Sequence, residues 1–301
     1  MKKRFPYLLT LLLSAILFGC DNKEPVPVTE ETIDFRLIDG EPAWSPDGEW
    51  IAYVHKDSIL EKNGIYLIRQ DGTDSYLWET YATSPTWSPD SKWIAFSKGG
   101  QIGKKKIGGD SLTQLSFEGR NFSPSWSPDG ENLTYRRSYA WPETFEMQGL
   151  WKINLKTNEI SQYFQGNSGE AEWLDNGDIF YIIGKVDDVG NLVGFYCCKI
   201  NLKTLHQSKI LFLPELNQVL HYNYLKCLNK IIFTSFKNAI SSIWILDMSD
   251  NSLEKIIQYA YSANWSPCGK KIVYTDCRKT NGYLWIMDLN TKEKHQLTFN
   301  N

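Results

Sequence analysis

Ala43-Trp-Ser-Pro-Asp-Gly-Glu-Trp-Ile-Ala-Tyr53 returns three times with few changes. The copies are Thr86-Trp-Ser-Pro-Asp-Ser-Lys-Trp-Ile-Ala-Phe96, Ser125-Trp-Ser-Pro-Asp-Gly-Glu-Asn-Leu-Thr-Tyr135 and Asn264-Trp-Ser-Pro-Cys-Gly-Lys-Lys-Ile-Val-Tyr274. Two weaker copies lie between the last pair: Glu172-Trp-Leu-Asp-Asn-Gly-Asp-Ile-Phe-Tyr181 and the eroded Asn223-Tyr-Leu-Lys-Cys-Leu-Asn-Lys-Ile-Ile-Phe233. Aligned on Trp44, Trp87, Trp126, Trp173, Tyr224 and Trp265, the units are spaced by 43, 39, 47, 51 and 41 residues. A period near 44 suits one four-stranded blade. Six units therefore predict an all-β fold, a six-bladed β-propeller of four-stranded antiparallel blades.

The chemistry of the repeat agrees with this reading. Proline presets φ for the first corner of a turn, Asp or Asn tolerates the second, and glycine leaves it with positive φ. The residues after the turn alternate with the period of a strand, as in Ile51 and Tyr53 or Ile94 and Phe96. Ser91 takes the glycine position in the second copy and Cys268 the aspartate position in the last, so the motif builds a turn and needs no particular acid. Asp47, Asp90 and Asp129 lack the D-x-D-x-D-G spacing of a calcium loop, and no metal or cofactor is expected. A second half recurs too. Trp151-Lys-Ile-Asn-Leu-Lys-Thr157, Cys198-Lys-Ile-Asn-Leu-Lys-Thr204, Trp244-Ile-Leu-Asp-Met-Ser-Asp250 and Trp285-Ile-Met-Asp-Leu-Asn-Thr291 read as a third strand running into a polar turn. Short fourth strands follow, as in Thr113-Gln-Leu-Ser116 and His295-Gln-Leu-Thr298. The 12 Trp and 14% aromatic content are explained by blades that stack face to face on large flat side chains.

These repeats resemble the TolB-type, WD-like propeller repeats, whose core is W-S-P-D-G-x-x-I-A-[FY]. The resemblance covers residues 33 to 301 and implies a six-bladed propeller. TolB itself carries a small α/β domain ahead of its propeller and is soluble in the periplasm. This chain is expected to lack that domain and to be lipidated, so the fold is carried over and the Tol role is not.

The start of the chain reads as an address. Met1-Lys-Lys-Arg4 is cationic, and Phe5 to Phe18 is an apolar run too short for a confident membrane span. It ends in Leu17-Phe18-Gly19-Cys20, which resembles the lipobox of bacterial lipoproteins. Residues 1–19 are thus expected to be a lipoprotein signal peptide, 20–32 a lipidated Cys20 with a flexible tether, and 33–301 the propeller. Cleavage would remove three cations and take the formal charge from -3 to -6. That balance disfavours nucleic acid, which is gripped by clustered Lys and Arg. Five thiols then remain, Cys197, Cys198, Cys227, Cys268 and Cys277, an odd number that cannot all pair. They read as core or turn residues. Ring closure stays open between two segments, Phe35–Ile38 and His295–Thr298, that could claim the same edge.

Two places could carry function. The segment from Arg136 to Gln148 is long and irregular, and its Arg136, Arg137, Tyr139, Trp141 and Phe145 form a candidate binding loop. Three residues before each anchor stand Glu41, Ser84, Ser123, Glu170, His221 and Ser262, all polar, a candidate channel rim. The chain contains no G-x-S-x-G, H-E-x-x-H or P-loop motif. We therefore expect a non-enzymatic lipoprotein of the bacterial cell envelope, periplasmic or surface-exposed. Its propeller would be a scaffold for an unidentified envelope protein, peptide or small ligand, and the lipid would hold it to a membrane. The alternative is a propeller-type glycan lyase or hydrolase, which would require Glu41, Glu170, Glu172 and His221 to converge in the channel.

Overall fold

In the computed structural model of the chain, the described residues are 38–138, 147–166, 169–214, 216, 218–238, 240–278 and 282–299. They form six four-stranded antiparallel sheets, each made of four consecutive strands. The blades span 38–80, 82–114, 120–165, 171–214, 218–258 and 260–296. Residues 33–37 of the expected propeller lie outside the described set, as does everything before them.

Each Ser-Pro-Asp-Gly turn joins the inner strand of a blade to the second. Ser45 Oγ donates to Asp47 Oδ1 (2.6 Å) and accepts the Trp50 N–H (2.9 Å), while Asp47 Oδ1 also accepts the Glu49 N–H (3.0 Å). Ser88 with Asp90 and Ser127 with Asp129 repeat the arrangement, and Ser266 with Cys268 approximates it at 3.5 Å. The aspartates thus fasten their own turns, and the same bonds hold the Asp90 and Asp129 carboxyls below the usual range. At the far end of the outer strand, the Gln-Leu-Ser/Thr pattern also has a task. Ser116 Oγ and Thr298 Oγ1 accept the N–H groups of Ile102 and Leu284 on the neighbouring third strands.

The alternation in the second strands separates two buried faces rather than core from solvent. Ile51 and Tyr53 pack with Val273, Leu284 and Ile286 of the last blade, whereas Ala52 and Val54 pack with Trp87, Ile94 and Phe96 of the second. Six apolar clusters fill the six inter-blade junctions. Neighbouring Cys197 and Cys198 obey the same geometry. Cys197 joins the cluster facing the fifth blade and Cys198 the one facing the third, and burial pushes their thiols up to about 12 and about 11.

Among the described residues no strand is exchanged where the ring closes, and Phe35, Arg36 and Leu37 of the other segment lie outside them. His295 and Gln296 lie in the outer strand of the last blade, Lys294–Gln296, and Ile38 opens the inner strand of the first, pairing with Lys56. Among the described residues the seam is held by the apolar cluster and three hydrogen bonds. The Asp39 N–H donates to the Gly282 carbonyl (3.0 Å), Thr275 Oγ1 donates to the Asp39 carbonyl (2.9 Å), and the Trp44 N–H donates to Asn264 Oδ1 (3.1 Å).

Candidate functional site

The inner strands are the edges of their sheets and surround a central cavity of about 550 Å³. Edge strands expose unpaired N–H and C=O groups, and here the sequence disposes of them in a regular way. Pro42, Pro85 and Pro124 remove an N–H at the same level of three strands. The anchor indoles take up carbonyls: Trp87 Nε1 donates to Ala43 O, Trp126 to Thr86 O, Trp173 to Ser125 O and Trp265 to Asn223 O, at 2.9–3.2 Å. Each of these bonds crosses to the preceding blade. At the two remaining junctions a side chain takes the role of the carbonyl. Asn264 Oδ1 accepts the Trp44 N–H, and Glu172 Oε1 accepts the Tyr224 N–H at 3.4 Å.

All six predicted rim residues border this cavity. Five of them, Glu41, Ser84, Ser123, His221 and Ser262, have φ between 47° and 53°, the left-handed region. Each sits where the pairing of inner and second strands shifts register. These are β-bulges that re-aim a side chain, and non-glycine residues held there store backbone strain, a recurrent mark of functional sites. Glu170 precedes the short inner strand Ala171–Trp173 and does not share the conformation.

The carboxylates are not dispersed evenly. Glu41 stands on the first blade, its Oε2 accepting the Ser84 N–H at 2.6 Å. Across the ring, Glu170 Oε1 lies 3.7 Å from His221 Nδ1 and accepts from Ser123 Oγ at 3.3 Å. Glu172 bridges three blades, accepting from Ser125 Oγ (2.9 Å), Asn223 Nδ2 (3.2 Å) and the Tyr224 N–H. Burial pushes the Glu172 carboxyl up to about 7; its hydrogen bonds to Ser125 and Tyr224 oppose this, and the Glu170 charge adds to it. So Glu170, Glu172 and His221 converge while Glu41 does not. The structural part of Glu172, Asn223 and Asn264 falls outside the six positions the sequence singles out. Its signal was present, because the residue just before the anchor is small in three units (Ala43, Thr86, Ser125) and long and polar in the other three.

The candidate loop fares differently. Arg136, Arg137 and Ser138 continue the second strand of the third blade, Asn132–Ser138. Arg137 is buried: Nε donates to Asn121 Oδ1 (2.9 Å), Nη2 to Tyr135 Oη (3.1 Å), and the guanidinium lies 4.1 Å from the centre of the Trp151 ring. It belongs to blade packing, because a flat cation beside an indole satisfies both when water is excluded. Arg136 turns to the other face, over Phe122. Tyr139, Trp141 and Phe145 lie outside the described residues. Arg137→Ala is accordingly expected to cost about 2–3 kcal/mol of stability, and Arg136→Ala less than about 1. Urea titration of both variants checks this, and equal midpoints would refute the difference.

No protein-family model matches the chain, and no curated protein matches it by sequence. Solved structures do. A putative TolB from Agrobacterium tumefaciens is 15% identical over 77% of this chain and 87% of its own, with a TM-score of 0.64. TolB from Acinetobacter baumannii is 18% identical over 87% of this chain with a TM-score of 0.65; the match spans 63% of that protein, less than two thirds of its length. An oligogalacturonate lyase in complex with manganese is 12% identical, covering 86% of this chain and 77% of the lyase, with a TM-score of 0.58. The fold is therefore a TolB-like six-bladed β-propeller, and neighbours of that fold include both TolB proteins and an enzyme.

Proposed function

We propose that the chain is a non-enzymatic binding module of the bacterial cell envelope, held to a membrane by an acylated Cys20, whose central cavity receives a basic group of a partner protein or peptide. The observation that carries this reading is the composition of the cavity wall. Among its charged lining residues Lys226 is paired with Asp175 (3.6 Å), which leaves Glu41, Glu170 and Glu172 facing only His221. A concave site lined by one sign of charge with low-dielectric walls concentrates the opposite charge. Strained backbone at the same level of five strands supports a recognition surface rather than an incidental void. The Cys20 anchor rests on the lipobox-like Leu17-Phe18-Gly19-Cys20 after an apolar run.

The test is chemical crosslinking in cells followed by capture of the anchored protein, beside a Glu41→Gln, Glu170→Gln variant. A stoichiometric partner recovered with the parent chain and lost with a variant that keeps its near-ultraviolet circular dichroism is the expected result. Equal recovery from both would sink the cavity reading. A second reading, a glycan lyase or hydrolase, has one observation in its favour, the 3.7 Å approach of Glu170 to His221, within reach of an acid–base pair that tightens on substrate. Ultraviolet-absorbing unsaturated products from uronic-acid oligosaccharides, absent with His221→Ala, would favour it over the first.

A further inference from the structure

The two ends of the propeller differ in a way the cavity does not use. Because every blade runs through four consecutive antiparallel strands from the inside outward, all Ser-Pro-Asp-Gly turns and third-to-fourth strand turns leave by one end. The second-to-third strand loops and the connections between blades leave by the other. Among the described residues, the most exposed apolar side chains gather at this loop end. Val189 (81% exposed), with Val186 and Leu192, tips the long hairpin of the fourth blade. Phe117 (71%) lies between the second and third blades, Leu60 (65%) in the loop of the first, and Phe299 (65%) beyond the outer strand of the last. At the turn end the greatest exposure of a large apolar residue is 57%, at Leu205. Single exposed apolar residues need no explanation, but a set at the loop tips of one face does.

The chain itself indicates what covers them. The inner strand of the first blade starts with Ile38 at this same end, where the Asp39 N–H meets Gly282 in a second-to-third strand loop. Seventeen residues separate Cys20 from Ile38, and they span at most about 60 Å when fully extended. An anchor at Cys20 would therefore be joined to the propeller at its loop end. Charges there are mixed: Lys62 stands beside Asp57 (3.8 Å), and Lys185 is followed by Asp187 and Asp188. Such a face suits the apolar boundary of a membrane better than a strongly charged surface.

We propose that the loop end of the propeller docks on the lipid surface, with Leu60, Phe117, Val189 and Phe299 inserted at the headgroup boundary. The turn end of the cavity, bordered by Pro46, Pro89, Pro128 and Pro267, then faces away from the membrane and open to partners. This rests on the reading of Cys20 as the anchor, and the experiment separates the two. The full mature chain is placed on vesicles of phosphatidylethanolamine and phosphatidylglycerol, with Cys227, Cys268 and Cys277 changed to Ser. Cys197 and Cys198 stay in place because both are buried, and one accessible thiol at Val189→Cys, Phe117→Cys or, as the turn-end control, Leu205→Cys carries an environment-sensitive dye. Acylation of Cys20 is read independently by mass. Where it is absent, a His tag ahead of Asp21 is held by a chelating lipid, so that the face is tested either way. Blue-shifted emission at 189 and 117, with at least twofold stronger quenching by nitroxide lipids than at 205, is the expected result. It should change little between neutral and anionic vesicles. Equal quenching at all three positions overturns the proposal, as does shielding of 189 and 117 that needs a crosslinked protein and fails on vesicles.

Discussion

Trp87→Ala is expected to lower the free energy of unfolding by about 3–5 kcal/mol, the usual loss when a buried large aromatic is truncated. Trp87 is buried in the junction between the first two blades, against Ala43, Ala52, Val54 and Phe96. Its indole also donates to the Ala43 carbonyl. The two contributions can be separated. Trp87→Phe keeps most of the packing and removes the donor, which is expected to cost about 1–2 kcal/mol. Trp126 makes the same kind of bond, to Thr86 O at 3.2 Å, but its side chain is only half-buried, so Trp126→Ala should cost clearly less than Trp87→Ala. Urea unfolding followed by tryptophan fluorescence measures all three. Equal losses at 87 and 126 would mean that the shared indole bond outweighs the burial that distinguishes them.

The position of that tryptophan was legible because an aromatic anchor recurs in six units and the Ser-Pro turn chemistry after it in four of them. Ser45, Asp47 and Gly48 act through bonds within five residues of one another, and local chemistry of that kind is what a sequence displays directly. What the sequence hid depends on neighbouring strands. The third strand of the third blade opens at Gly149, where a Cβ would lie 1.9 Å from the Phe164 carbonyl. The motif beginning at Trp151 gave no reason for that glycine, because the clash comes from the next strand. Arg137 likewise looked like part of a recognition loop, and only the placement of Trp151 and Asn121 around it makes it a core residue. The polarity of the rim positions was visible as a column of the alignment. The left-handed φ of five of them was not, since Glu, Ser and His are ordinary strand-edge residues until a register shift places them in a bulge.

The same column bears on the second large effect, the loss of stability that the protein should show as pH rises from about 5 to 8. Glu172 is the group concerned. Its carboxyl is pushed from 4.5 up to about 7 in the folded chain, so between those values the folded state keeps a proton that the unfolded state has released. The stabilisation is complete below about 4.5, declines as pH rises and is gone above about 7. At about 1.4 kcal/mol per pH unit this interval amounts to about 3 kcal/mol. His55 adds a smaller loss of the same sign. Its ring bonds Asp39 Oδ1 at 2.6 Å, which raises it above 6.5 despite partial burial, so its contribution disappears only at and above that pH. Glu172→Gln separates them, because the amide can accept from Tyr224 and donate toward Ser125 without titrating. Free energies of unfolding for the parent and Glu172→Gln chains at pH 5, 6, 7 and 8 make the comparison. The slope between 5 and 7 should vanish in the variant, while any slope from His55 persists above 6.5. A variant that keeps the parent slope below pH 7 would show that the bridge across the third, fourth and fifth blades is made by an ordinary carboxylate, ionised throughout. The cavity would then carry its full negative charge under all these conditions, which would strengthen its preference for a basic ligand rather than make that preference depend on pH.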